Sequence, residues 1–83
     1  MPVQDAQKLK ERMVSFLRMR GPTLPVHIAK DAGLTILFAS AFLSELISDN
    51  RIKMSNMRIG SSPLYFLQGQ ENLLEKLSQL RQI

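Results

Sequence analysis

Cysteine and tryptophan are absent from the 83 residues, and histidine and tyrosine occur once each. Without cysteine there is no disulfide, no thiolate metal site and no thiol nucleophile. The one histidine, His27, lies between Val26 and Ile28 on the predicted outer side of a helix and reads as a surface residue. Seven carboxylates are scattered without paired spacing, and Ser61-Ser62 sits in a turn context with no base near it in sequence. The glycines form neither GxGxxG nor GxxxxGK, so no phosphate loop is present. These absences speak against an enzyme and predict neither a metal site nor a cofactor. No apolar run approaches the twenty or so residues that a membrane span needs. The opening MPVQDAQKLK also lacks the apolar stretch of a secretory signal. A cytoplasmic protein with no membrane partner is expected.

What is present suits one small domain over residues 1–83. Hydrophobic residues make up 45% of the chain, enough for a core and too many for a disordered segment. Eleven Lys and Arg against seven Asp and Glu leave a formal charge of +4. A balance of that sign favours polyanionic partners.

The stretch LPVHIAKDAGLTILFASAFLSELISDN, residues 24–50, organises the rest. Pro25 suits the first turn of a helix, where its fixed φ fits and its missing N–H goes unused. Ile28, Ala29 and Ala32 give that helix an apolar face, and Gly33 is placed to end it in the left-handed region. Leu34 packs under the corner, and Thr35 can cap the next helix through its hydroxyl. That second helix runs to about Asn50. At 100° per residue, Ile36, Phe38, Ala39, Phe42, Leu43, Leu46 and Ile47 fall on one broad arc predicted to face the core. Phe42 is expected at its centre. The opposite arc holds Leu37, Ser40, Ala41, Ser44, Glu45 and Ser48.

Before this unit, Ala6, Leu9, Met13, Phe16 and Leu17 recur at helical spacing from about Gln4 to Met19, and Gly21-Pro22 stops the helix. Thr23 and Leu24 read as a short extended segment. After the unit, Arg51 to Met57 alternates, with Ile52 and Met54 predicted inward and Arg51, Lys53 and Ser55 outward. Asn56 breaks the alternation and marks a bulge or the strand's end. Gly60-Ser61-Ser62-Pro63 is turn chemistry, and Leu64 to Leu67 is the returning strand, so a loop is predicted from about Asn56 to Pro63. Gln70 to Ile83 returns to helix, with Leu73, Leu74, Leu77, Leu80 and Ile83 as its apolar stripe. The chain ends inside that helix, which suits either a frayed natural end or a piece of a longer protein.

Ile28, Ala29, Ala32, Gly33, Leu34, Ala39, Phe42, Leu43 and Leu46, followed by a basic hairpin, resemble a helix-turn-helix of the winged-helix superfamily. The resemblance extends over nearly the whole chain. It implies a mainly α fold of three core helices, a wing hairpin and an extra C-terminal helix. It also implies that residues 23–24 add a third strand beside the wing.

The resemblance and the charge leave two functions open. In the first, the chain binds nucleic acid, DNA in the main, in a transcription-type or accessory role. Arg51, Lys53 and Arg58 of the wing would grip phosphates, while Leu37, Ser40 and Ser44 of the long helix face the duplex. Asp31 to Asp49 contains no Lys, Arg, Asn or Gln, the residues that read base edges, so low sequence specificity is expected. Stacking on aromatic rings is not expected as the binding mode, since Phe16, Phe38, Phe42 and Phe66 all fall on core-facing phases, which leaves Tyr65 as the one ring whose side is open. In the second function the fold serves protein assembly, through the Leu37/Ala41 face or the leucines of the last helix. A homodimer through that last helix is a further expectation.

Overall fold

Three helices, a hairpin and a fourth helix follow one another, in a computed structural model that describes residues 3–81, with side chains for residues 6–77. Helix α1 spans Val3–Arg20, and its inner stripe is Met13, Val14 and Leu17, with Ala6, Leu9 and Phe16 packed at its margins. It ends at Gly21, which takes φ 81° and donates its N–H to the Leu17 carbonyl at 2.8 Å. Thr23 then pairs with Tyr65, each donating its N–H to the other's carbonyl at 2.9 Å. This is the third-strand contact that the resemblance implies.

Helix α2 (Pro25–Ala32) begins with proline and buries Ile28 and Ala29. Gly33, at φ 71°, supplies the left-handed residue of the corner, and the Leu34 N–H closes onto the Ala29 carbonyl at 2.9 Å. Helix α3 (Ile36–Ser48) starts with the Phe38 N–H donating to the Thr35 hydroxyl at 3.3 Å. The two helices meet at 105°, within the range of helix-turn-helix pairs.

The α3 core seam is Ala39, Phe42, Leu43 and Leu46, the spacing of a narrow buried stripe. Phe42 is buried, as expected. Ile36 and Phe38 are not: they are 53% and 57% exposed. Each stands one turn ahead of a buried position, Ala39 or Phe42. At about 100° per residue they stand roughly 70° and 90° from the middle of the seam, on its two flanks, so the predicted arc is wider than the stripe that is buried.

Strands β1 (Lys53–Ile59) and β2 (Ser62–Phe66) form an antiparallel hairpin. Lys53 lies opposite Phe66 and Met54 opposite Tyr65; the register then shifts, and Arg58 lies opposite Pro63 and Ile59 opposite Ser62. The break around Asn56 is therefore a bulge within a longer strand, and the turn shrinks to Gly60-Ser61 from the predicted loop of about Asn56 to Pro63. The inward and outward positions also differ from expectation. Met54 is 51% exposed, whereas Ser55 is buried. The reason is local: Ile52 is buried in the bend before β1, so alternation counted from it starts outside the ladder. Ser55 repairs the bulge. Its hydroxyl donates to the Met57 carbonyl at 2.8 Å and accepts the Leu64 N–H at 3.1 Å.

Helix α4 (Glu71–Arg81) is fixed at its start. The Gln70 side chain accepts the Leu67 N–H and donates to the Leu17 carbonyl, both at 2.9 Å. Leu74 and Leu77 are half-buried and Leu73 is exposed. The Leu80 side chain and Ile83, expected in the same stripe, lie outside the described residues. The whole is a winged helix-turn-helix, mainly α with one small hairpin. No single described helix is long and apolar enough to cross a membrane.

Candidate nucleic-acid interface

The outer face of α3 is made of short or apolar side chains because every longer polar type is missing from ILFASAFLSELIS except Glu45. Leu37, Ala41, Ser44 and Ser48 are exposed there, and Ser40 is half-buried. Leu37 is 78% exposed, and with Ile36 and Phe38 it makes the head of the helix an apolar cap. The expectation that every phenylalanine turns inward fails at Phe38. Phe38 lies on the flank of the helix, about 90° from the middle of the buried seam, where the broad predicted arc reaches beyond the narrower stripe that is covered. Tyr65 is half-buried and packs against the core.

The one carboxylate on this face does not stand alone. Glu45 accepts from the Lys10 ammonium of α1 at 2.8 Å. Arg12 of α1 similarly holds Asp31 of α2, at 3.3 Å.

The wing cations occupy different situations. Arg51 is half-buried at the root of the hairpin, and its guanidinium lies 2.7 Å from the Glu11 carboxylate of α1. The hydrogen bond from Arg51 is the main cause that pulls the Glu11 carboxyl below its usual range, and the same bond raises the Arg51 pKa. Lys53 is exposed, 3.7 Å from Glu71 at the start of α4. Glu71 is held below the usual carboxylate range first by backbone N–H groups, its own and that of Gly69, with Lys53 adding a smaller effect. Arg58 is exposed near the tip, with a guanidinium N–H donating to the Ser61 carbonyl at 3.0 Å. Arg51 and Lys53 thus brace the hairpin against α1 and α4. Arg58 is the wing cation nearest the turn.

Lys8 and Arg18 of α1 and Lys30 of α2 are exposed and belong to none of the four ion pairs among the described residues. Arg20 lies over the Phe16 ring, 5.6 Å from its centroid, a cation–π distance. His27 is exposed and borders an open groove of about 480 Å³ between the end of α1, the start of α2 and the wing, with Ile59 and Leu64 on the hairpin side. Among the described residues, no three His, Asp or Glu side chains gather as a metal site would require.

Three comparisons bear on this arrangement. The model of the family described as FaeA-like protein matches residues 9–69, from α1 to the glycine after the hairpin. Among solved structures, the Zalpha domain of Carassius auratus PKZ, crystallised in complex with Z-DNA, is similar with a TM-score of 0.69 and 25% identity, over 76% of this chain and 97% of that one. The apo Zalpha domain of zebrafish PKZ is similar in fold, with a TM-score of 0.67 and 18% identity, over 75% of this chain and 94% of its own. No curated protein matches the chain.

Proposed function

The chain belongs to the FaeA-like protein family, and from that footing we propose that it is a winged helix that binds duplex DNA with low sequence specificity, in a transcription-type or accessory role. The observation that carries the reading is the separation of charge from shape. Helix α3 presents a neutral face of small and apolar residues, while the cations lie on the wing, α1 and α2. A duplex seated on α3 meets Ser40, Ser44 and Leu37, with Arg58, Arg51 and Lys53 along its backbone. A similar fold in the Carassius auratus Zalpha domain carries Z-DNA, which supports the same class of ligand here. Arg51 and Lys53 must exchange Glu11 and Glu71 for phosphate, an exchange that is easy because both carboxylates are exposed and ion pairs open to water add little net stability. Such a protein is a binding module and not an enzyme, and a cytoplasmic location suits it.

Binding of a mixed-sequence duplex followed by fluorescence anisotropy at several salt concentrations tests this. Replacing Arg51, Lys53 and Arg58 together by Gln should flatten the log–log salt slope by about three units, close to one for each phosphate that is no longer neutralised. Equal slopes for parent and triple variant remove the wing as the anchor. Absence of binding at low salt removes the reading.

A second reading draws on the exposed cap of Ile36, Leu37, Phe38 and Ala41, which suits a protein surface as well as a groove. Pairing of two chains through Leu73 and Leu77 of α4 belongs with it, and a monomer mass in sedimentation at high micromolar concentration would exclude that dimer.

A further inference from the structure

Resting on the duplex-binding reading, we infer that the head of α3 reads thymine methyl groups in the major groove. Base edges there are distinguished mostly by donors and acceptors, and the exception is the C5-methyl of thymine. The side chains that read donors and acceptors best, Arg, Lys, Asn and Gln, are all missing from Ile36–Ser48. What α3 offers instead is Leu37, 78% exposed, with Ala41 one turn behind it and Phe38 at 57% on the flank. Apolar side chains of this kind are suited to a methyl group and to nothing else on a base edge.

The spacing fits as well. Leu37 and Ala41 are four residues apart, about 6 Å along the helix at 1.5 Å per residue. That spans roughly two base steps at 3.4 Å each, so thymines two steps apart on one strand present their methyls at a matching interval. Ser40, Ser44 and Ser48 keep the neighbouring surface low, which lets the helix seat deeply enough for Leu37 to reach the groove floor. The formal charge of +4 and the cations on the wing and α1 favour a polyanion over an apolar protein as the occupant of this patch.

The ligand itself supplies the test. Anisotropy titrations at one salt concentration would compare an A·T-centred duplex with the same duplex carrying deoxyuridine for thymine, which removes methyls and keeps every base pair. A G·C-centred duplex with cytosine or 5-methylcytosine forms the second arm. Each contacted methyl should be worth about three- to fourfold in affinity, the ratio given by burying one methyl-sized group, and two should be worth about tenfold. 5-Methylcytosine should strengthen binding, and Leu37→Ser should lose its own three- to fourfold share of the discrimination while keeping the parent's salt slope. Equal affinity for the thymine and uracil duplexes overturns the methyl reading, as it would if the patch serves another protein, and leaves salt-dependent duplex binding standing. Full discrimination retained by Leu37→Ser overturns the assignment to this helix head. No binding of any duplex at low salt overturns the duplex reading and this inference together.

Discussion

Replacing Ser55 by alanine removes one oxygen and tests how the wing is built. The hydroxyl stands where the register shift leaves a gap in the ladder, accepting the Leu64 N–H and donating to the Met57 carbonyl. Leu64 is 2% exposed, so water cannot easily replace the missing acceptor. A buried donor left without a partner costs about 1–3 kcal/mol, more than the net worth of an ordinary hydrogen bond. Taking about 2 kcal/mol for the site, and an unfolding entropy near 2.1 cal/mol/K per residue, the melting temperature should fall by about 10 °C. Thermal denaturation followed by circular dichroism measures that fall. Amide hydrogen exchange at Leu64 reports on the bond itself, which should open faster than its neighbours. A variant that melts with the parent and keeps a slow Leu64 amide would refute the reasoning, since the bulge would then be held by something other than the hydroxyl.

Phe42→Ala empties the middle of the α3 seam and should cost about 3–5 kcal/mol in urea unfolding. Gly33→Ala meets no neighbouring atom within 4 Å, so its expected loss of about 1–2 kcal/mol in the same assay isolates the cost of placing an L side chain at φ 71°. The Glu11 carboxyl is held below the usual carboxylate range by Arg51, so its contribution to stability is present in full above that range and fades as pH falls through the lower folded value. Glu11→Gln should therefore lose stability at neutral pH and show a shallower acid limb in pH-dependent melting. In DNA titrations the same change spares Arg51 the exchange of carboxylate for phosphate, so binding should tighten at a given salt concentration while the salt slope stays close to the parent's.

The helix-turn-helix is legible in the sequence because its instructions are local: Pro25 starts α2, Gly33 turns the corner and Thr35 caps α3, each within a few residues of the backbone group it serves. Ala39, Phe42, Leu43 and Leu46 are legible as the inner seam for the same reason. Ile36 and Phe38 mislead because periodicity gives a side chain's angle but not how wide an arc the neighbours cover, and both stand on the flanks of the buried seam. Met54 and Ser55 mislead because a period of two carries no memory of a bend or a bulge, and one displaced residue reverses every later assignment. At the candidate site the wing cations can be named from the sequence. Their acidic partners cannot, since Glu11 reaches Arg51 and Glu71 reaches Lys53 only through the tertiary fold.

The paired N–H and carbonyl groups of Thr23 and Tyr65 join the link before α2 to the returning strand, with α2, α3 and β1 all enclosed between them. The turn at Gly60-Ser61 lies inside that enclosed length, but away from the bridge that closes it. The entropy of closing a loop grows only with the logarithm of its length, so even doubling the enclosed chain would cost about 0.6 kcal/mol. A few residues inserted at the turn therefore leave the frame of the domain almost unaffected. A wing lengthened or shortened at that turn would change how far it reaches along a partner without renegotiating the helices that carry it.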